Sequence, residues 1–194
     1  MKKNKGFANS YFEHYYYFDS KKTPYEKCND PYSISIVDSM YRSYNTLNGN
    51  VPTTYVETGC GNGKFLNRML QLGLKSSNVV GCDFSDYFNG SIICPKENFV
   101  KMDSISFIKN INYPIDMCYE NSLQYLDIED FVTLISLLSK KMKYGSVLGV
   151  LYDESVRYHP YRKICKSVQW WKETLELFGF RNFRTQYLFY RIKD

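Results

Sequence analysis

The sequence lacks any long apolar run. Nothing in it approaches the roughly 20 consecutive apolar residues that a bilayer span needs, so no membrane partner is expected. Its opening, "MKKNKGFANSYFEHYYYF", begins basic but has no apolar stretch of the secretory kind, and a cytoplasmic location is expected. The six cysteines (Cys28, Cys60, Cys82, Cys94, Cys118, Cys165) form no C-x-x-C pair and have no histidine cluster beside them, which argues against both a disulfide frame and a zinc site. No metal ligand set is expected. Strong charge of one sign is also missing. A formal +5 over 194 residues is weaker than most dedicated nucleic-acid binders carry, and nucleic acid is not expected as a partner. No G-x-x-x-x-G-K-[ST] phosphate loop and no internal repeat occur.

Aromatics, by contrast, are abundant. Nineteen tyrosines bring the aromatic share to 18%, against a hydrophobic share of 44% that suits a soluble globular chain with a real core. The rings concentrate toward the start, and the chain divides into two regions. Residues 1–50 mix Tyr and Phe with Lys, Asp, Asn and Ser, and within them "PYSISIVDSMYRSY" can form a helix with Ile36, Met40 and Tyr44 on one face. "NTLNGNVPTT" then reads as a linker, because Asn-Gly and Pro favour turns.

From 51 to 194, short apolar strands alternate with helical patterns. "TYVET", "SNVVGCDF", "ENFVKMD", "IDMCYE" and "SVLGVLYD" read as strands. "GKFLNRMLQLG", with Phe65, Met69 and Leu72 on one face, "EDFVTLISLLSKKMKYG" and "SVQWWKETLELFGF" read as helices. "FRTQYLFYRI" is one long strand or a tight pair. The crossovers "SDYFNGSIICPK" and "SISFIKNINYP" are short, so single turns or irregular segments are expected there. Strand–helix alternation predicts an α/β fold: a doubly wound, mostly parallel sheet of seven or six strands with helices on both faces.

"VETGCGNG" carries the functional signal. Three glycines, Gly59, Gly61 and Gly63, follow the first strand, where an open α/β sheet binds its ligands. They permit φ > 0 and let a ligand approach the backbone; a tight turn without a ligand is the plainer alternative. The dinucleotide pattern wants Gly or Ala where Lys64 stands, and Glu57 before the glycines would repel a pyrophosphate. Asp83 closes the second strand about 20 residues on, the usual place for a carboxylate that accepts ribose hydroxyls. A nucleoside with a cationic, phosphate-free tail suits both carboxylates.

"VETGCGNG", "VVGCDFS", "NFVKMDS" and "IDMCYENSLQYLD" together resemble the class I S-adenosylmethionine-dependent methyltransferases over about residues 52 to 194. The resemblance implies S-adenosylmethionine as cofactor. Glu57 would serve its methionine end over Gly59, Cys60 and Gly61, with Asp83 on the ribose, Phe84 on the adenine, and Asp103 and Ser104 near the adenine amino group. Asp116 would open the D-x-x-x-x-x-x-L-x-x-L stretch. The reaction implied is in-line methyl transfer, which asks the protein to hold two reactants in line and exclude water. The family keeps no fixed base. Tyr119, Glu120 and His159 are the catalytic candidates, with cofactor binding a competing role for Glu120 and a solvated loop histidine the plainer reading of His159. Residues 1–50 are expected to fold over the site as an aromatic lid, with Tyr11, Tyr15, Tyr17, Tyr25 and Tyr158 toward a small-molecule acceptor, unless those rings pack on outer helices. Either a monomer or a homodimer is compatible with the sequence. The alternatives are an RNA or protein methyltransferase, argued from the basic and aromatic "RYHPYRKICK", and an inactive cofactor-binding partner protein.

Overall fold

The structure is a computed structural model, and it describes residues 31–84, 92–152, 163–183 and 185–192. Within these, helix α1 (Pro31–Asn48) precedes β1 (Tyr55–Thr58), α2 (Lys64–Gln71), β2 (Val79–Asp83), β3 (Phe99–Lys101) and α3 (Ser104–Asn110). Then come β4 (Ile115–Glu120), α4 (Ile128–Lys141), β5 (Met142–Val150), α5 (Val168–Leu177), β6 (Phe180–Phe183) and β7 (Thr185–Arg191).

The strands form one sheet of seven in the order β3-β2-β1-β4-β5-β7-β6. The first five pair in parallel, while β7 runs antiparallel to both β5 and β6. The final segment is therefore the tight pair, and the sheet has seven strands rather than six. Gly179, with φ 80, ends α5 in the left-handed conformation that a Cβ disfavours, and so turns the chain straight into β6.

Two apolar clusters lie on opposite faces of the sheet. Strand periodicity explains the division, since successive side chains leave opposite faces. Val56, Cys82, Cys118 and Leu148 pack with Phe131, Leu134, Ile135 and Trp171 on one face. Tyr55, Met117, Tyr119 and Val147 pack with Met40 of α1 and Leu66 and Met69 of α2 on the other.

Helix α1 shows the expected face, with Ile36, Met40 and Tyr44 buried. It lies close because Gly149 of β5 offers no side chain: a Cβ there would stand 2.9 Å from the Tyr119 ring and press on the Met40 sulfur. At its end Asn48 Nδ2 donates to the Gly145 carbonyl of β5 at 3.0 Å. Arg68 of α2 donates to both carboxylate oxygens of Asp38, at 2.8 and 3.0 Å. Asp116, 1% exposed at the start of β4, collects Thr53 N and Oγ1 (2.7 and 2.6 Å), Thr54 N (3.2 Å) and Lys143 Nζ (2.8 Å). These bonds fix the chain's entry into β1.

Helix α2 buries Leu66 and Met69, and Phe65 and Leu72 pack, partly buried, against the same cluster as Met69. Two local expectations need correction. The third crossover contains a seven-residue helix, α3, rather than a single turn. The "MKYG" end of the predicted α4 belongs instead to β5, because Met142 pairs with Ile115 and sheet pairing overrides local helical preference.

Candidate functional site

The glycine loop closes the carboxyl end of β1. Gly59, Gly61 and Gly63 all have positive φ, at 66, 55 and 80. Gly63 is doubly constrained, since a Cβ there would lie 3.0 Å from Cys94 Cβ and closer still to its sulfur. The loop is tied down on both sides. Cys60 N donates to the Cys82 carbonyl at 2.9 Å, Ile93 N to the Asn62 carbonyl at 2.9 Å, and Gly61 N to Asp83 Oδ2 at 2.9 Å. At the start of α2, Lys64 N donates to Asn62 Oδ1 at 3.3 Å, and no acidic residue sits in the helix's first turn, so its positive end faces the loop.

Three carboxylates stand where β1, β2 and β4 end: Glu57, Asp83 and Glu120, at 2%, 6% and 0% exposure. Burial pushes the Glu57 carboxyl well above its ordinary value. The Tyr55 hydroxyl, donating to Glu57 Oε2 at 3.2 Å, pulls the other way, and Asp83 and Glu120 push it up further. Burial likewise raises Glu120, to about 8, against the lowering effect of its bonds from Ser122 and from the Leu123 backbone. Ser122 donates to Glu120 Oε1 through its N–H at 2.9 Å and also through its hydroxyl, which lies 3.3 Å from that of Ser104. Among the described residues Glu120 Oε2 has no hydrogen-bond partner, nor has Oγ1 of Thr58, its direct cross-strand neighbour.

The structure thus brings Glu57, Gly59, Cys60, Gly61, Asp83, Ser104 and Glu120 to one end of the sheet. Phe84 directly follows β2 and is partly exposed. Asp103 caps α3, its Oδ1 accepting from Ser106 N at 2.9 Å. Tyr119 departs from expectation. Adjacent strand residues point to opposite faces, so Tyr119 and Glu120 do not share a side of the sheet. Tyr119 is a core ring, 2% exposed, edge-on to Phe65 at 5.1 Å, and burial raises its hydroxyl's pKa far above the ordinary value. Asp116 stands at the opposite end of β4, where it holds the chain together. His159, Tyr158, Tyr11, Tyr15, Tyr17 and Tyr25 lie outside the described residues.

Thr58 and Ser122 were not singled out from the sequence. The available signal was a threonine in a strand buried on both faces, directly after Glu57. Burial holds the thiols of Cys60, Cys82 and Cys118 well above their ordinary value, so none is a ready nucleophile. Among the described residues no cluster of His, Cys, Asp or Glu could hold a metal ion, and no helix is long and apolar enough to cross a membrane. A groove of about 520 Å³ between α1 and β7, lined by Arg42, Asn45, Thr46, Thr185 and Leu188, contains none of the loop glycines or strand-end carboxylates.

No protein-family model matches the sequence, and no curated protein sequence does. Solved structures do match. An S-adenosylmethionine-dependent methyltransferase from Archaeoglobus fulgidus is 25% identical, over 77% of this chain and 70% of that one, with a TM-score of 0.59. The magnesium protoporphyrin IX methyltransferase of Synechocystis PCC 6803, solved with S-adenosylhomocysteine bound, is 18% identical over 96% of both chains, with a TM-score of 0.60. The plantazolicin methyltransferase BpumL, also solved with S-adenosylhomocysteine, is 21% identical with a TM-score of 0.51; the match covers 65% of this chain and about half (49%) of that one. The sheet order, the glycine loop and these likenesses agree: this chain has the class I S-adenosylmethionine-dependent methyltransferase fold.

Proposed function

We propose that this protein is an S-adenosylmethionine-dependent methyltransferase acting on a small-molecule acceptor. One observation carries the reading: a loop of three left-handed glycines between two buried carboxylates, with Gly61 N–H bonded to Asp83. Such a site repels phosphate, and it suits a nucleoside that brings its own positive charge. The residues present fit that cofactor. Buried Glu57 has no cationic partner among the described residues and would take the ammonium of the methionine end. The positive end of α2, with no acidic residue in its first turn, favours its carboxylate. Asp83, oriented by the loop, would hold the ribose, with Phe84 beside the base.

S-adenosylmethionine supplies an electrophilic methyl on a sulfonium. The chain's own work is to fix the donor, align the acceptor and keep water away from both. A general base is required only where the acceptor must lose a proton early, and neither Tyr119 nor Glu120 has an exposed functional group for that task. Residues 1–50 form the acceptor side in this reading, with α1 as the foot that seats the segment on β5. Deleting residues 1–30 is expected to abolish turnover and retain part of the cofactor affinity. The small-molecule assignment rests on the modest net charge: RNA and duplex DNA should bind weakly at physiological salt, without a steep salt dependence.

Calorimetric titration tests the cofactor. S-adenosylhomocysteine should bind with micromolar affinity and raise the melting temperature, NAD and ATP should do neither, and Asp83→Ala should lose most of the binding. No heat from the intact protein would end the reading.

A further inference from the structure

Glu120 is the one strand-end carboxylate with no task in that cofactor site. Glu57 matches the ammonium and Asp83 the ribose, yet Glu120 is the most deeply buried of the three. Its surroundings offer half of what an ionised carboxylate needs. Oε1 takes the Ser122 N–H and hydroxyl, and Ser122 continues to Ser104 of α3. Among the described residues Oε2 has no donor, and the neighbouring Thr58 hydroxyl, also wholly buried, has no partner either.

The titratable groups that interact with it are unhelpful to a negative charge. From β2 comes the Cys82 thiol, from its own strand Cys118, and across the sheet Glu57 and Tyr119. None is a cation, and no Lys, Arg or His among the described residues bonds to Glu120. A buried acid so placed holds its proton near neutral pH, and the raised value of about 8 agrees.

Proximity to the loop gives that proton a use. Glu120 ends β4 beside Thr58, the residue immediately before Gly59, and a Cβ on Gly59 would meet Ser122 Cβ at 3.4 Å. A ligand lying on Gly59 is thus within a few residues of Glu120 along both strands. A positive charge brought there would stabilise the ionised carboxylate through a medium with little water to screen it.

We infer that Glu120 is a specificity-determining residue, letting the site tell the charged sulfonium donor from the neutral thioether left after transfer by releasing its proton to solvent only when the former is bound. The inference rests on the cofactor reading above. Donor and product share the ammonium, the carboxylate and the nucleoside, so Glu57 and Asp83 treat them alike. Only the sulfonium differs, and of the three described strand-end carboxylates Glu120 is the one left to respond to it. Ionised Glu120 then favours the donor, and reprotonation after transfer removes that preference and eases product release.

The test is calorimetry of the full chain with S-adenosylmethionine and with S-adenosylhomocysteine, at pH 7.5, in buffers of different ionisation enthalpy. Lowering the Glu120 value by one unit from about 8 would release about half a proton with the charged ligand, beyond whatever the neutral one releases. The affinity ratio of donor to product should rise about sevenfold from pH 6.5 to pH 9 relative to Glu120→Gln, in which both the excess proton and the excess pH dependence vanish. Equal proton counts for the two ligands in the wild type would overturn the inference, and that comparison needs no variant. Equal pH dependence in wild type and a folded Glu120→Gln would also overturn it. If neither ligand binds, the cofactor reading fails instead.

Discussion

Replacing Gly63 by Ala perturbs the loop at its most constrained point. Two costs are separable. At φ 80 an L-residue bears the left-handed penalty, about 1–2 kcal/mol. The added methyl would also stand 3.0 Å from Cys94 Cβ and inside van der Waals contact of its sulfur, and overpacking of that kind costs about 1–3 kcal/mol. Cys94 cannot simply retreat, because the preceding Ile93 N–H is bonded to Asn62 of the same loop. The sum is about 2–5 kcal/mol. Urea unfolding of Gly63→Ala, Cys94→Ala and the double variant divides it. Cys94→Ala removes the sulfur but not Cβ, so the double variant should recover part of the steric cost and none of the backbone cost. Calorimetry on the same proteins should show weaker S-adenosylhomocysteine binding wherever the loop has been displaced. A Gly63→Ala protein within about 0.5 kcal/mol of wild type would refute both the conformation and the contact.

The other predictions follow from buried charge and from the seat of α1. Glu120→Gln should stabilise the protein at high pH: the native carboxyl titrates near 8 against an ordinary 4.5, so wild-type stability falls as pH rises between those values, by at most about 5 kcal/mol, while the variant's does not. A wild-type to Gln gap that stays constant from pH 4 to pH 9 in denaturant titrations would contradict this. Asp116→Asn should cost about 2–3 kcal/mol at pH 7 by releasing Lys143, which stays partly solvated, and weakening the bonds from Thr53. Burial alone would raise the Asp116 value, but Lys143 and Thr53 lower it, so its contribution is present above about pH 4 and is lost as pH falls through the native value; the difference from Asn should therefore close in acid. Arg68→Ala severs the partly exposed pair with Asp38 and should cost only about 0.5–1 kcal/mol, with any larger loss in thermal unfolding pointing to a tighter α1–α2 contact.

Much of this molecule was legible along the chain because the signals were local. Alternating strands and helices gave the α/β class, and glycine density directly after a strand located the ligand end of the sheet. The carboxylates that end β1 and β2 follow from their positions alone. The aliphatic spacing of Ile36, Met40 and Tyr44 gave the buried face of α1. Other features depended on contacts that no local pattern encodes. Tyr119 and Glu120 are neighbours in sequence, yet the pleat sends one into the α1–α2 core and the other beneath the loop. Asp116 has the residue type of a site carboxylate, but its place at the start of β4 makes it a tie for Thr53 and Lys143. The end of α4 was settled by the pairing of Met142 with Ile115, and the last strands by a left-handed Gly179 that could have served a longer turn equally well. Above all, the unpartnered oxygens of Thr58 and Glu120 exist only because two strands far apart in sequence pair in one register. Residue type and spacing determine which elements form and where a ligand can approach. Which polar atoms are left without water or a partner is decided when the elements pack, because burial belongs to the assembled fold.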